Sequence, residues 1–365
     1  MKIVHVVYSM EMGGAEMLVA QLSRLQRQNG HEVQICAYST LGSLGEQLRK
    51  ENVPVHVLGE AHPAKTMLRY LRLFRQLKPD VVHCHNPAPT LQAALSARLA
   101  GAACIVATRH SLVSPPYDTS EEIKFSIFAR FTDWVAGICD ITCTNLRGAP
   151  LAPLSRITRV YNGAAPMERV ATDLRMESAF TLLFVGRLAQ VKDLPTLLRA
   201  FAAALPRVPH LRLWIVGDGA VRPSLEELAQ SLNVSSSVTF WGEQMDTRRF
   251  FSAADAIVMS STSEGLPMSL LQGMSLGLPA VVTDVGGMRE IMQLSGGGLT
   301  VPVGDDASMA DALVRMASDT LLRQELSQKA QEAYAREFTL DQMEAAYEKL
   351  YCSGRSPIVE EARPA

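Results

Sequence analysis

The chain contains no Asp-x-Asp pair, and no stretch approaches the roughly 18 uninterrupted apolar residues that a membrane-spanning helix needs. The first absence removes the simplest carboxylate cradle for a metal-bridged diphosphate. The second removes a membrane span. Six cysteines, Cys36, Cys84, Cys104, Cys139, Cys143 and Cys352, are scattered and sit mostly inside apolar runs, which fits reduced core thiols in a cytosolic protein. Cys139 and Cys143 lack a second ligand pair nearby, so no zinc site is expected. The opening MKIVHVVYSM has a short apolar run broken by His5 and lacks a small-residue cleavage site. It reads as a first strand, not a signal peptide. A strong charge of either sign is also missing, at a formal net of −2, and no nucleic-acid partner is expected. That total conceals an asymmetry, because residues 1–165 hold 17 Lys and Arg against 12 Asp and Glu, and the remainder 18 against 25. The two halves differ chemically.

At 365 residues, 47% of them apolar, the chain is globular and too long for one ordinary core. Apolar runs alternate with amphipathic stretches: KIVHVVY, EVQICAY, VPVHVLG, DVVHCHN, CIVATRH, WVAGICD, TLLFVGR, LRLWIVGDG, SVTFWG, DAIVMSS and PAVVTDVGG. This is the signature of parallel sheets wrapped by helices. The small and polar residues of 161–178 interrupt it and mark the linker. The expected organisation is therefore α/β, with two doubly wound Rossmann-like domains over residues 1–165 and 166–338. A helix at 339–352 is expected to pack back on the first, and a tail at 353–365 to be frayed. Such sheets bind ligands beyond the carboxyl ends of their strands, and two facing domains make a cleft.

Three stretches carry chemistry. In SMEMGGAEMLV, residues 9–19, Gly13 and Gly14 fall at a strand-to-helix turn where backbone can approach a ligand and helix N–H groups suit a phosphate; a plain tight turn is the alternative. In FVGRLAQVKD, residues 184–193, Arg187 and Lys192 flank a strand end and a helix start. They suit a departing nucleoside diphosphate, or are two solvated side chains. In SSTSEGLPMSLLQGMSLGLPAVVTDVGG, residues 260–287, Glu264 and Gly265 form a turn before a helix that ends near Gly277. A carboxylate there accepts hydrogen bonds from sugar hydroxyls, and Gln272, roughly 7 to 8 Å further along the axis, addresses another part of the same ligand.

GGAE, VATRH at 106–110, VGRL with Lys192, IVGDG at 215–219 and SEGLPMSLLQGMSLGLPAVVTDVGG occur in that order over nearly the whole chain. In this the sequence resembles the family 4 retaining glycosyltransferases of the GT-B fold. The resemblance implies that Gly13 and Gly14 bring amides to the donor diphosphate and sugar, with Glu16 beside them on the acceptor side. It implies that His110 approaches the transferring sugar, that Arg187 and Lys192 clamp the diphosphate, and that Glu264 holds sugar hydroxyls beside Gly265 and Leu266. The second glutamate of the family's Glu-x7-Glu pattern falls at Gln272, where this chain departs. The implied reaction moves a sugar from a nucleotide diphosphate donor to a sugar or lipid-linked acceptor hydroxyl, in polysaccharide or glycolipid synthesis, without a cofactor or metal. A nucleotide-sugar-binding protein that has lost turnover, and a sugar-nucleotide epimerase of the same fold, are the alternatives.

Three features stay outside that set. His83 and His85 alternate along one strand, as a metal pair or, more commonly, as structural residues. Asp218 makes its own turn, since GDG lacks a third glycine in register. Residues 64–78, AKTMLRYLRLFRQLK, place Lys65, Arg69 and Arg72 on one side and Met67, Leu68, Leu71 and Phe74 on another. That pattern suits a peripheral helix on anionic lipid, or a core helix with a solvated basic face.

Overall fold

The computed structural model describes residues 1–112, 119–175 and 178–354, so the expected frayed tail beyond residue 354 lies outside the described residues. The chain divides into two compact units, one of Met1–Gly163 with the segment from Leu340, the other of Ala164–Thr339.

In the first unit β1 (Lys2–Val7), α1 (Gly14–Gln28), β2 (Glu32–Ala37), α2 (Gly42–Lys50), β3 (Val55–Val57), α3 (Pro63–Leu77), β4 (Val81–His85) and α4 (Pro87–Ala100) alternate. β5 (Cys104–Arg109), α5 (Thr119–Ala129), β6 (Trp134–Gly137), α6 (Asp140–Gly148) and β7 (Ile157–Arg159) continue the pattern. The sheet order is β3-β2-β1-β4-β5-β6-β7 and every pairing is parallel. In the second unit β8 (Phe180–Val185), α7 (Leu194–Ala204), β9 (Leu211–Val216), α8 (Arg222–Ser231), β10 (Val238–Gly242), α9 (Arg248–Ala253) and β11 (Ala256–Met259) come first. They are followed by α10 (Met268–Ser275), β12 (Ala280–Thr283), α11 (Gly286–Ser295), β13 (Gly298–Val301), α12 (Asp306–Ser318) and α13 (Thr320–Glu337). That sheet runs β10-β9-β8-β11-β12-β13, again all parallel. The last helix, α14 (Leu340–Ser353), belongs to the first unit, where it packs on α1 and β5.

Helices on both faces explain why most strands read as continuous apolar runs. One face of β1 and β4 presents Val4, Val6, Val82 and Cys84 to Tyr70 and Phe74 of α3 and to the alanines of α4. The opposite face carries a buried polar stripe. His5 is paired with His83, and His85 with Thr108, so successive strands bring these side chains to one side of the sheet under α1 and α14. Five cysteines are buried and free, as expected of core thiols, and Cys352 is exposed.

Two strands carry no apolar run. β7 and β13 are edge strands of three and four residues with a single buried residue each, so their sequences look like loops. Within the expected linker, residues 167–170 are more closely held than a run of small residues implies. The Met167 N–H donates to Ser275 Oγ at 3.2 Å, the Val170 N–H to Ser252 Oγ at 3.0 Å, and Arg169 Nη2 to the Leu276 carbonyl at 2.9 Å. These bonds fasten those residues along the second unit.

Candidate active site

In each sheet the strand order reverses once, between β1 and β4 in the first unit and between β8 and β11 in the second. Chains leaving neighbouring strands there turn to opposite faces, which opens a crevice at the carboxyl edge.

At the second unit's reversal, β8 runs into Gly186 and Arg187. The turn is held by Leu188 N–H donating to the Asp218 carbonyl at 2.8 Å and by Gly186 N–H donating to Val216 O at 3.0 Å. Gly217, at φ +136°, and Gly219 pack so tightly on this turn that a Cβ on either would meet the carbonyl of Gly186 or of Leu188. Asp218 accepts from Gly219 N–H at 2.7 Å and from Arg222 at 2.8 Å, which makes it a turn residue. Arg187 is exposed; its carbonyl accepts from Ala189 N–H at 3.0 Å, and its side chain has no hydrogen-bonded partner among the described residues.

The loop after β11 is stitched to the loop before α7. Thr262 N–H donates to the Val191 carbonyl and Ser260 Oγ to the Lys192 carbonyl, each at 2.8 Å. The Lys192 ammonium then meets Glu264 Oε1 in an ion pair, and Ser261 Oγ donates to the same oxygen at 2.7 Å. The two side chains are only 18% and 11% exposed, so their attraction is weakly screened. Gly287 N–H donates to the Glu264 carbonyl at 3.2 Å, and a Cβ on Gly287 would strike the Gly265 carbonyl. Leu266 is buried beneath this turn, and Gln272 lies half-buried in the second turn of α10.

At the first unit's reversal, the chain after β1 reaches Gly13, the extended residue that caps α1, and Gly14, its first residue. The Glu16 carboxylate folds over Gly13, where a Cβ would collide with it; beside Gly14 nothing lies within 4 Å. An acid in the first turn also suits the helix dipole. Beyond β4, Asn86 holds φ +73° and ψ 170°, a conformation nearly confined to glycine. Its side-chain Oδ1 accepts the His110 N–H at 3.0 Å and its own N–H donates to the Thr108 carbonyl at 2.7 Å. Asn86 therefore pins the start of the loop that carries His110.

Behind His110 runs a file of buried rings. His110 Nε2 lies 3.0 Å from His85 Nδ1, His85 Nε2 lies 3.0 Å from His5 Nδ1, and His5 Nε2 lies 2.8 Å from Gln26 Oε1. His83 stacks on His85 at 4.1 Å and spends its own nitrogens on Tyr351 OH at 2.8 Å and Thr108 Oγ1 at 2.7 Å. His5, His83 and His85 offer nitrogen atoms within 4.8 Å of one another, a spacing a metal ion could use. Both His83 nitrogens are already engaged, however, and the facing nitrogens of His5 and His85 share one hydrogen bond. The arrangement is that of a hydrogen-bonded core rather than a ligand set. Beside it Arg109 and Glu122 form a buried ion pair at 2.9 Å.

The family model described as Glycosyltransferase Family 4 matches residues 12–166, and that described as Glycosyl transferases group 1 matches residues 179–319. The chain belongs to the family 4 glycosyltransferases. The lipopolysaccharide core biosynthesis glycosyltransferase LpsE of Rhizobium meliloti is 36% identical over 172 residues, 47% of this chain and 49% of that protein. The chain thus spans about half the length of this relative. The UDP-Gal:alpha-D-GlcNAc-diphosphoundecaprenol alpha-1,3-galactosyltransferase of Escherichia coli is 24% identical over 281 residues, 71% of each chain. The crystal structure of Anabaena HepE in complex with UDP superposes with a TM-score of 0.87 at 19% identity, over 97% of this chain and 100% of that one. This likeness shows the GT-B fold.

Within this family 4 chain, the residues singled out by sequence fall at the two carboxyl edges: Gly13, Gly14, Glu16 and His110 in the first unit, and Arg187, Lys192, Glu264, Gly265, Leu266 and Gln272 in the second. Sequence reading misses His5, Gln26 and Asn86. The available signals are a polar residue inside the β1 run, a glutamine on the apolar face of α1, and an Asn-Pro step at a strand end. The basic face of α3 needs correction. Arg69 is not free on it, because its Nη1 donates to the carbonyls of Leu58 at 2.7 Å and Gly59 at 3.0 Å. The exposed residues of α3 include Lys65, Leu68, Arg72 and Arg75. No helix among the described residues is long and apolar enough to cross a membrane.

Desolvation holds the buried rings neutral. It lowers His5 and His110 from 6.5 to about 4, and lowers His83 and His85 well below their ordinary value. In the unfolded chain these rings protonate near pH 6.5, whereas in the folded chain they do not. Stability is therefore complete above about pH 6.5 and is lost as pH falls toward 4, by roughly 3 kcal/mol for each ring whose pKa is lowered to about 4. The urea midpoint, followed from pH 8 to 4.5, is expected to hold steady and then drop steeply below pH 6.5. A midpoint unchanged between pH 6.5 and 5 would contradict the neutral-ring assignment.

Proposed function

We propose that the chain is a retaining glycosyltransferase that moves a sugar from a nucleotide diphosphate donor to a hydroxyl of a sugar or lipid-linked acceptor. The observation that carries this reading is the Lys192–Glu264 ion pair at the β8–β11 reversal, where the turn after β8 also carries the exposed Arg187. Two cations beside the N-terminus of α7 stabilise the charge that develops on a leaving diphosphate, and the carboxylate accepts hydrogen bonds from the sugar. In this scheme Gly265 and Leu266 line the donor beside Glu264, while Gly13 and Gly14 approach it with backbone. Glu16 faces the acceptor, His110 contacts the transferred sugar, and no metal or cofactor takes part. A complex of HepE with UDP, and relatives whose names refer to lipopolysaccharide core synthesis and to a diphosphoundecaprenol acceptor, support the substrate class. Transfer occurs on one face of the sugar, with the leaving phosphate helping to deprotonate the acceptor. Positioning and charge stabilisation then provide the rate.

The test is a thermal-shift screen of nucleotide sugars followed by transfer of the radiolabelled hit to a lipid extract. A ligand at 100 times its dissociation constant stabilises by about 2.7 kcal/mol, a readily measured shift. Absence of both a shift and transfer would remove the proposal. Isotope exchange at the sugar without acceptor would favour an epimerase instead.

The ion pair separates the two cations by experiment. Arg187→Ala is expected to lower turnover by roughly two to three powers of ten with unfolding unchanged, because Arg187 is exposed. Lys192→Ala is expected to lower turnover on the same scale and also to lower the melting temperature, since it leaves Glu264 largely buried without its partner. Near-normal turnover in both variants would exclude them from the site.

Gln272 favours a second reading, a binding protein that has lost turnover. The resemblance implies that a glutamate at this position accepts from the donor's ribose hydroxyls; we assign Gln272 a weakened form of that contact, since the amide carbonyl keeps an acceptor of the same reach as a carboxylate without a further negative charge near the diphosphate. Calorimetry on Gln272→Glu is expected to show tighter donor binding with higher turnover. Turnover in Gln272→Glu alone, with none in the natural protein, would establish the binding-protein reading.

We also place the protein at the cytoplasmic membrane face, through the exposed Lys65, Leu68, Arg72 and Arg75 of α3. Arg72→Glu with Arg75→Glu should abolish flotation with anionic liposomes at moderate salt. Unchanged flotation removes the idea.

A further inference from the structure

The file of rings behind His110 has a direction. Gln26 turns its carbonyl oxygen to His5 at 2.8 Å and leaves its own amide Nε2 buried without a hydrogen-bonded partner; with the amide in this orientation His5 Nε2 donates, because a carbonyl carries no proton. A neutral ring has one N–H, which leaves His5 Nδ1 as a bare acceptor. Its partner at 3.0 Å, His85 Nε2, must then carry the proton, and His85 Nδ1 is bare in turn. The same step, again at 3.0 Å, places the proton of His110 on Nε2. His110 Nδ1 is left as a lone pair. That atom is buried and has no hydrogen-bonded partner among the described residues.

We propose that Gln26, His5 and His85 are positioning residues that lock His110 in its Nε2–H tautomer and so reserve Nδ1 as an acceptor for a hydroxyl of the bound sugar. The proposal rests on the reading of His110 as the sugar contact. Neutrality is required for the logic to run, because an imidazolium at His5 or His85 would donate from both nitrogens and force the next ring to accept, moving the proton of His110 to Nδ1. Burial of all the rings supplies that neutrality. The lock also has a chemical use, since a neutral acceptor binds a hydroxyl without bringing an ionisable proton to the reacting sugar. Asn86 complements it by fixing the His110 backbone N–H at 3.0 Å. Ring orientation and backbone position are thus set by separate bonds.

Tautomers are read directly by long-range 1H–15N correlation on protein labelled with 15N-histidine. In the ligand-free protein at pH 7.5, His5, His85 and His110 are expected to give Nε2–H patterns. Gln26→Leu removes the terminal acceptor, and His5→Phe cuts the file at a different point. Each is expected to turn His110 into a mixture of tautomers while a folded spectrum persists. An Nδ1–H pattern or an even mixture for His110 in the natural protein overturns the proposal, and so does an unaltered His110 pattern in either folded variant. The natural protein alone decides the matter if both variants unfold. Because these signals are recorded without substrate, they do not depend on the sugar contact. That contact is examined separately by adding UDP-glucose and UDP-galactose. If His110 keeps the locked tautomer and its resonances ignore both sugars and every other nucleotide sugar that stabilises the protein, the lock stands and the assignment of His110 to the sugar fails.

Discussion

A parallel sheet delivers every strand's carboxyl end to one edge, and the reversal of strand order is the one place on that edge where the connections diverge. Each unit has one such point, and the polar residues argued to carry function follow the strands that flank it or, in the case of His110, the next strand. The constraint acts first on packing. With helices on both faces, a strand holds polar side chains most cheaply where they satisfy one another, so the polar stripe of the first sheet is a connected hydrogen-bonded set running toward the edge, open only at Gln26 Nε2 and His110 Nδ1, rather than a scatter.

The two edges solve the problem of polarity differently. At the second unit's edge the charges are kept and paired: Lys192 and Glu264 neutralise each other across loops that are themselves joined by Thr262 and Ser260. Two candidate ligand contacts are thus one electrostatic unit, and a ligand that engages one changes the other. At the first unit's edge the histidine rings are kept uncharged by burial, and their organisation is carried by hydrogen-bond direction.

The fold class is legible because strands buried on both faces announce themselves as apolar runs. The edge strands β7 and β13 escape for the same reason in reverse, since a half-solvated strand of three or four residues has no run to show. Single residues divide by the range of their interactions. Gly217 and Gly219 are readable as a turn, but not the carbonyls of Gly186 and Leu188 that forbid a side chain there, because those come from another loop. His83 and His85 are visible as a pair on one strand. Their significance depends on His5, 80 residues from His85, and on Gln26, which looks like an ordinary helix residue until α1 is laid on the sheet. Arg69 shows the opposite error: helical periodicity assigns it to a free face, and the neighbouring loop removes it from that face.

Asn86 connects these levels. An extended backbone with positive φ at a residue other than glycine costs about 1–3 kcal/mol and persists only where surrounding bonds determine it. Here the Asn86 N–H is tied to the Thr108 carbonyl, its carbonyl accepts from Thr90 Oγ1 at 2.9 Å, and its side chain takes the His110 N–H. A glycine would adopt the angles without strain but would lose the side-chain acceptor. An alanine would lose the acceptor and keep the strain. Asparagine alone among these supplies the contact that sets His110, and it does so under strain, so the strain at this strand end is a consequence of placing a neutral, directed imidazole at the carboxyl edge of the sheet.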